Sequence, residues 1–124
     1  MNEKTKKAKI VAALRLLHRQ WHPKKEARKR DTVKVQVGTF KNGKPKYLNK
    51  CKCAECGTLI PPKETNMDHL DPVVSVEDGF QDWNTFIDRM FVSSDEYQTL
   101  CKPCHKVKSK IENALRRKNA KSKV

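Results

Sequence analysis

Long apolar runs are missing from this sequence, and apolar residues make up only 36% of its 124 positions. No apolar stretch long enough for a signal peptide or a membrane span follows the lysine-rich residues 1–9. We therefore expect a cytoplasmic protein with no membrane partner. The length suits one compact domain with extensions, and so small an apolar fraction predicts a core that needs an added cross-link.

Acidic residues are half as common as basic ones, since 14 Asp and Glu stand against 28 Lys and Arg for a net charge of +14. Clustered Lys and Arg gain affinity by displacing counterions from phosphates, so nucleic acid is the expected partner. A solvated face or a solubility tail is the alternative. Aromatic residues reach only 6% and few lie in the basic segments. This scarcity disfavours single-strand recognition by base stacking and favours a duplex.

The charges are unevenly placed along the chain. Residues 1–30 contain eleven Lys or Arg against two Glu, and residues 102–124 contain nine against one. Residues 66–97 reverse the sign, with eight Asp or Glu against Arg89 alone. An acidic segment between two basic ones suits a site that holds a cation while its flanks hold phosphates. An acidic surface loop would have the same composition.

The first half of the chain predicts a helix and a β-hairpin. Four apolar residues at helical spacing predict an amphipathic helix that packs on the domain and ends near His22-Pro23: Ile10, Leu14, Leu17 and Trp21. Alternating valines at 33–37 predict a strand, and Asn42-Gly43 predicts the turn of a hairpin. We assign residues 1–30 to a basic helical extension, 31–118 to one domain and 119–124 to a basic tail.

The second half predicts an α+β arrangement. A short strand is expected at 66–70, followed by an irregular loop through 76–79. An amphipathic helix is expected next, with Trp83, Phe86, Ile87, Met90 and Phe91 on its apolar side. A last helix opens at residues 101–105 with a proline near its first position, where the missing N–H costs nothing. Its apolar residues are expected to face the core: Val107, Ile111 and Leu115.

The five cysteines predict a metal site. Cys53-x-x-Cys56 and Cys101-x-x-Cys104 provide four thiolates in two pairs, which is typical of a closed tetrahedral zinc site. Thiols in a reducing compartment seldom form disulfides, and the odd total supports metal binding. An iron–sulfur cluster and a redox pair are the alternatives. Cys51 is the spare. A four-thiolate site leaves no open position, so any catalytic metal must lie elsewhere.

The residues between and after these pairs resemble the HNH endonuclease family. The sequence MDHLDPV at 67–73 lies between the pairs, and LCKPCHKVK at 100–108 closes the pattern. The similarity covers about residues 53–110 and is greatest to the small single-domain HNH proteins of bacteriophages. It implies a ββα-metal core joined by the four-cysteine zinc site, with the N-terminal helix and hairpin as an extension. It also implies cleavage of DNA in a bacterial host cell, either as nicks or as double-strand breaks.

The resemblance assigns catalytic roles to three residues. His69 would be the general base, since its ordinary pKa lies near neutrality. Asp68 and His105 would bind a divalent ion, and their oxygen and nitrogen atoms suit Mg²⁺, Mn²⁺ or Ni²⁺. Taken singly, an Asp-His pair could cap a turn. His105 could also be a surface residue or a replacement zinc ligand.

Two features depart from the family pattern. The middle Asn usually stands five residues before the third cysteine, where this chain has Glu96. Glu96 could accept the same backbone hydrogen bonds or join the metal. Asn84 is the nearest preceding Asn and is expected to cap a helix. Neighbouring strand residues point to opposite faces, so Asp68 and His69 can share a site only if their strand ends or kinks there.

Basic residues on both sides of the acidic segment are expected to bind DNA phosphates: Arg28, Lys29, Arg30, Lys106 and Lys108. Lys108 lies three residues after His105 and shares its helix face, so it would reach a phosphate beside the metal. The alternative is a non-catalytic zinc module that binds nucleic acid. An RNA-binding protein of ribosomal type is a weaker alternative.

Overall fold

The computed structural model describes residues 1–122 and shows the expected α+β class. Its helices are α1 (Glu3–His18), α2 (His22–Arg30), α3 (Trp83–Met90) and α4 (Lys102–Ser122). Its strands are β1 (Thr32–Thr39), β2 (Pro45–Lys52), β3 (Leu59–Ile60), β4 (Thr65–His69) and β5 (Tyr97–Cys101). Short 3₁₀ turns precede β4 and β5. Lys123 and Val124, at the end of the predicted basic tail, lie outside the described residues, and the domain bounds stay predictions.

The N-terminal segment forms two helices, because the helix predicted to end near His22-Pro23 ends at His18 and the basic residues after it form α2. The Asn2 side chain accepts a hydrogen bond from the Thr5 N–H at 2.8 Å and caps α1. The chain turns after His18, and α2 begins with Pro23 in its first turn. Trp21 lies at the joint, where its Nε1–H donates to the Val92 carbonyl at 2.7 Å. This bond anchors the junction of the two helices to the region before β5.

The apolar stripe of α1 packs on the domain only in part. Leu14 and Trp21 are half-buried, but Ile10 is 36% exposed and Leu17 is 63% exposed. The buried residue of this helix is His18. The prediction of a packed stripe is therefore wrong for Leu17, because the helix turns its His18 side toward the domain.

The first sheet has the order β1-β2-β3 and contains the predicted hairpin. β1 and β2 pair antiparallel from Thr32 opposite Cys51 to Thr39 opposite Pro45, with a bulge at Val37. Gly43 has a φ of 84° in the connecting turn, a conformation that suits glycine. Most of the hairpin is exposed, and only its base reaches the buried Cys51.

The second sheet joins β4 and β5 in antiparallel pairing and lies inside the molecule. Its register runs from Thr65 opposite Cys101 to His69 opposite Tyr97. Met67 and Tyr97 pack with Ala27 of α2, while Leu100 and Cys101 pack with Cys53. The predicted strand at 66–70 is confirmed one residue earlier. α4 starts immediately after β5 and contacts both strands.

α4 turns a different face toward the protein from the one that the sequence predicts. Val107, Ile111 and Leu115 were expected in the core, but they are 58%, 56% and 41% exposed. The polar side of α4 instead faces the protein. There the side chains of Arg116 and Asn119 donate to the carbonyls of the loop at 73–76. That loop offers unpaired carbonyls that need donors, so arginine and asparagine contact it better than leucine does.

α3 holds the other side of the same loop. Phe86 and Met90 are buried as predicted, whereas Ile87 is 38% exposed. The Arg89 guanidinium donates from Nε to the Pro72 carbonyl at 2.9 Å and pairs with the Asp71 carboxylate at 2.8 Å. Among the described residues, no helix is long and apolar enough to cross a membrane.

Candidate metal centre and catalytic residues

The four cysteines of the two predicted pairs come together. The sulfurs of Cys53, Cys56, Cys101 and Cys104 all lie within 4.8 Å of one another. The Cys56 and Cys101 sulfurs are 3.8 Å apart. Tetrahedral zinc with Zn–S bonds of about 2.3 Å requires sulfur separations of about 3.8 Å, so the cluster fits such an ion. Cys51 stays outside the cluster, and its sulfur lies 3.2 Å from the Thr32 hydroxyl.

Local backbone geometry forms the cluster. The Gly57 N–H donates to the Cys53 carbonyl at 2.9 Å, and Gly57 has a φ of 75°, which closes the first turn. Cys101 ends β5 and Cys104 lies in the first turn of α4. Burial alone would raise the pKa of Cys53, but backbone hydrogen bonds, chiefly from Cys56 and Cys101, outweigh it and lower the pKa to about 6. Cys53 therefore favours the thiolate that a metal ion needs, whereas the neighbouring thiols, Cys101 first, raise the pKa of Cys104 to about 12.

Asp68 and His105 form the second group of candidate ligands. Asp68, on β4, is only 8% exposed. Its Oδ1 lies 3.9 Å from His105 Nε2 on α4, and its Oδ2 accepts a hydrogen bond from Gln98 Nε2 at 2.9 Å. Gln98 is the residue opposite Asp68 in the β4–β5 register. The predicted pair is brought together, and Gln98 is a neighbour that the sequence did not indicate.

Lys108 occupies a place different from the expected one. It was predicted to reach a phosphate, but its ammonium forms an ion pair with the Asp68 carboxylate. It also donates to the His69 carbonyl at 2.9 Å. Glu112 is 4.0 Å away, one turn further along α4. Lys108 therefore neutralises Asp68, and a cation bound by Asp68 and His105 would compete with it.

The His69 ring is held by a backbone carbonyl. Its Nε2 lies 2.8 Å from the Met90 carbonyl oxygen. A carbonyl only accepts, so Nε2 carries the proton and Nδ1 of the neutral ring has a free lone pair. Burial lowers the pKa of His69, while the Met90 carbonyl and the Asp68 carboxylate oppose that shift. The ring is thus kept neutral, which is the form that can accept a proton.

The side chains of Asp68 and His69 leave β4 toward different neighbours. Asp68 contacts α4, whereas His69 packs against residues of α1 and β5. β4 ends at His69. The strand therefore ends at His69, as a site shared by the two residues would require. The two side chains nevertheless contact different neighbours.

Sequence reasoning missed the aromatic surroundings of His69. The His18 ring stacks on it with centroids 5.1 Å apart, and the Tyr97 ring lies 4.8 Å away. His18 Nε2 lies 2.7 Å from the Tyr97 hydroxyl, which donates to the Met90 carbonyl at 3.2 Å. The Met90 carbonyl thus accepts from both Tyr97 and His69. One signal was readable, since His18 follows Leu14 by four residues and shares its helix face.

The two candidates for the middle signature position lie away from the metal ligands. Asn84 is exposed on α3 and does not cap it, because the Asp82 side chain accepts from the Thr85 N–H at 2.7 Å. Asp82 suits that position because only the residue before the first turn can reach this N–H. The Glu96 side chain is exposed and makes no hydrogen bond or ion pair with the described residues. Its backbone carbonyl accepts from the Leu70 N–H at 2.9 Å and braces the end of β4.

The predicted phosphate ligands of α2 and α4 have different environments. Arg30 donates to the carbonyls of residues 94 and 97 at 3.1 and 3.0 Å, which ties α2 to β5. Arg28 is half-buried, with its Nε unpartnered within the described chain. Lys29 and Lys106 are exposed. Arg30 therefore serves the fold, and the two lysines are the ones free to bind an anion.

Comparison with known proteins gives no match: no family model, curated protein or solved structure is significantly similar to this chain. A function must therefore be argued from the site, because a fold by itself does not define one.

Proposed function

We propose that the chain is a metal-dependent endonuclease of the HNH type that hydrolyses phosphodiester bonds of duplex DNA. One observation carries the proposal: the Asp68 carboxylate on β4 lies 3.9 Å from the imidazole of His105, which directly follows Cys104 of the sulfur cluster in the first turn of α4. A carboxylate oxygen with an imidazole nitrogen suits Mg²⁺, Mn²⁺ or Ni²⁺. His69, next in sequence to Asp68, has the free nitrogen that a base needs.

The order of elements also supports an HNH core. β4 and β5 are antiparallel strands that carry Asp68 and Gln98 opposite each other, and α4 follows with His105. Zinc on the four cysteines would fix the joint between β5 and α4. It would therefore hold His105 toward Asp68 without taking part in the reaction, since its four positions are filled by sulfur.

Each residue then has a stated task. Asp68 and His105 would hold the divalent ion, which when bound supplies positive charge for the phosphate and the leaving oxygen. His69 takes a proton from the attacking water at Nδ1, while the Met90 carbonyl keeps the ring oriented through Nε2. Exposed Lys29 and Lys106 bind the DNA backbone by charge.

A plasmid-cleavage assay tests the proposal. Wild type with Mg²⁺ or Mn²⁺ should cut supercoiled DNA, and His69→Ala should lower the rate by about 10²–10⁴-fold, the usual contribution of a general base. His22→Ala is the matched control, because His22 is exposed on α2 and its partner among residues 1–122 is Glu26 alone. Its rate should equal that of wild type. We would abandon the enzyme if wild type and His69→Ala both bound DNA equally and left it intact.

A non-catalytic zinc module that binds nucleic acid is the second candidate. The ion pair of Lys108 with Asp68 favours it, because the carboxylate is already neutralised by the chain itself. Titration of Mn²⁺ into zinc-loaded protein separates the two candidates. The nuclease should bind one Mn²⁺, and Asp68→Asn should abolish that binding. A wild type that binds no Mn²⁺ would favour the module.

A further inference from the structure

The β1–β2 hairpin projects from the domain with both of its faces in solvent. Phe40, Tyr47 and Leu48 are 54%, 52% and 47% exposed, and Val35 is the most covered residue between Val33 and Asn49. An isolated two-stranded ribbon is marginally stable in water and adds little to a core. The length of this hairpin is therefore better explained by a contact with another molecule.

The charge of the hairpin indicates the chemistry of that molecule. Residues 33–50 contain five lysines and no Asp or Glu. An exposed ribbon that carries only positive charges attracts a polyanion and repels a second copy of itself. A nucleic-acid backbone therefore fits this surface better than a dimer contact does.

The strand register separates the hairpin into two unlike faces. Lys34 lies opposite Asn49, and Gln36 lies opposite Tyr47, so these four side chains share one face. We call it the polar face. The other face has Val33 opposite Lys50 and Val35 opposite Leu48. Amide, ammonium and hydroxyl groups are the ones that hydrogen-bond to base edges, and amides pair well with adenine.

We propose that the hairpin is a DNA-reading arm whose polar face enters the major groove of a B-form duplex. This inference rests on the proposed function for the identity of the substrate, and it adds where base pairs are recognised. A B-DNA major groove, about 12 Å wide, admits a two-stranded ribbon. Strands of eight residues reach roughly 25 Å at about 3.3 Å per residue. Double-stranded RNA is disfavoured, because its major groove is too narrow for side chains to read.

The root of the arm is fixed to the domain. Cys51, near the end of β2, is fully buried, and Cys53 follows as a member of the sulfur cluster. The Lys52 N–H donates to the Asp31 carbonyl at 3.4 Å. A metal ion on the cluster would therefore set the direction in which the arm leaves the domain.

The test measures binding without cleavage. Zinc-loaded protein, with no other divalent ion, is used to select sites from a randomised duplex, and affinities follow by fluorescence anisotropy. Wild type should select a preferred sequence. The double variant Gln36→Ala, Asn49→Ala should lose that preference and bind the selected site about tenfold or more weakly, since a good bidentate contact discriminates by about 1–3 kcal/mol. Lys34→Ala should lower the slope of log affinity against log salt by about 0.9.

The matched control changes the opposite face. Leu48→Thr should keep the selected sequence and the salt slope of wild type. The arm is overturned if the double variant keeps the wild-type preference, or if single strands or duplex RNA bind as tightly as duplex DNA. It is also overturned if Leu48→Thr changes the molecular mass in solution and Lys34→Ala leaves the slope unchanged, because the hairpin would then be a protein interface. Failure of plasmid cleavage leaves these measurements intact, so the arm and the nuclease fail separately.

Discussion

The two β-sheets of this protein differ in almost every respect. In the first sheet, β1 and β2 have eight residues each, are exposed on both faces except at their base and are rich in lysine. The β4–β5 sheet has strands of five residues, is mostly buried and carries Asp68 and His69. The shorter sheet is the one packed between α2, α4 and the sulfur cluster. Burial and fixed neighbours, and not strand length, distinguish the sheet that carries the proposed catalytic residues.

Removing the metal should break the short sheet first and have the largest effect. The cluster connects β2, β5 and α4, and the binding free energy of a structural zinc ion is part of the folding free energy. A strong zinc chelator should therefore abolish the cooperative thermal transition seen by circular dichroism, and added zinc should restore it.

Two cysteine variants show whether the loss is specific. Cys101→Ser should reduce the zinc content, whereas Cys51→Ser should retain one zinc per chain, because Cys51 lies outside the cluster. Equal zinc loss in both variants would contradict the assignment of the four ligands.

Low pH should have the next largest effect, because it lowers the stability of the buried region around His18 and the β4–β5 sheet. Burial, with Lys24 and His69 nearby, lowers the pKa of His18 from 6.5 to about 4. Between these values the unfolded chain binds more protons than the folded one. The contribution of His18 to the free energy of unfolding is therefore fully present above pH 6.5 and is lost as the pH drops toward 4. The loss should approach about 3 kcal/mol. Urea unfolding of wild type and His18→Gln between pH 7 and 4 measures it.

The His18→Gln variant isolates this group from the carboxylates. Glutamine can still donate to the Tyr97 hydroxyl but does not titrate, so its stability should fall less over the same range. Parallel curves for the two proteins would show that His18 does not cause the pH dependence.

Lys108→Met should lower the stability by a smaller amount, and added metal should stabilise this variant more than it stabilises wild type. The substitution leaves the Asp68 carboxylate without its ammonium, and we expect a loss of about 2 kcal/mol, less than for a fully buried pair because Lys108 is 27% exposed. Added Mn²⁺ should stabilise the variant more than wild type, since no lysine competes for Asp68. Thermal melts with and without Mn²⁺ check this, and equal metal responses would contradict a site at Asp68.

The smallest effect is expected in the long sheet. Leu48→Thr should change the free energy of unfolding by less than about 0.5 kcal/mol, because Leu48 is exposed. Leu100→Ala in β5 is the contrast, with an expected loss of about 2–5 kcal/mol for a side chain that is 2% exposed. Chemical denaturation of both variants measures the difference. Comparable losses would mean that the hairpin packs against the domain.

Local patterns predicted the β1–β2 hairpin and strand β4, but not β3 or β5. The cysteine spacing indicated the metal cluster, because two-residue spacings place both thiols of a turn on one ion. The Asn42-Gly43 pair indicated the hairpin, because its turn geometry requires positive φ. The α+β class followed from these patterns. The HNH core and the nuclease activity stay proposals.

Neighbours that depend on tertiary contacts were not readable. The contact of Gln98 with Asp68 follows from a register between strands almost thirty residues apart, which no local pattern defines. The burial of the polar face of α4, and not of its apolar face, has a similar cause. Its apolar residues predicted a buried face, but His105, Lys108 and Arg116 bind polar groups on the other side. The face that makes these hydrogen bonds and ion pairs is therefore the one that packs on the protein.

The middle of the loop between β4 and α3, at residues 72–76, is held by four of its backbone carbonyls. Arg89 donates to the carbonyls of Pro72 and Val73, while Arg116 and Asn119 donate to those of residues 74 and 76. Every amino acid presents the same carbonyl. The path of residues 72–76 therefore depends on the three donors Arg89, Arg116 and Asn119 more than on which amino acids present the carbonyls.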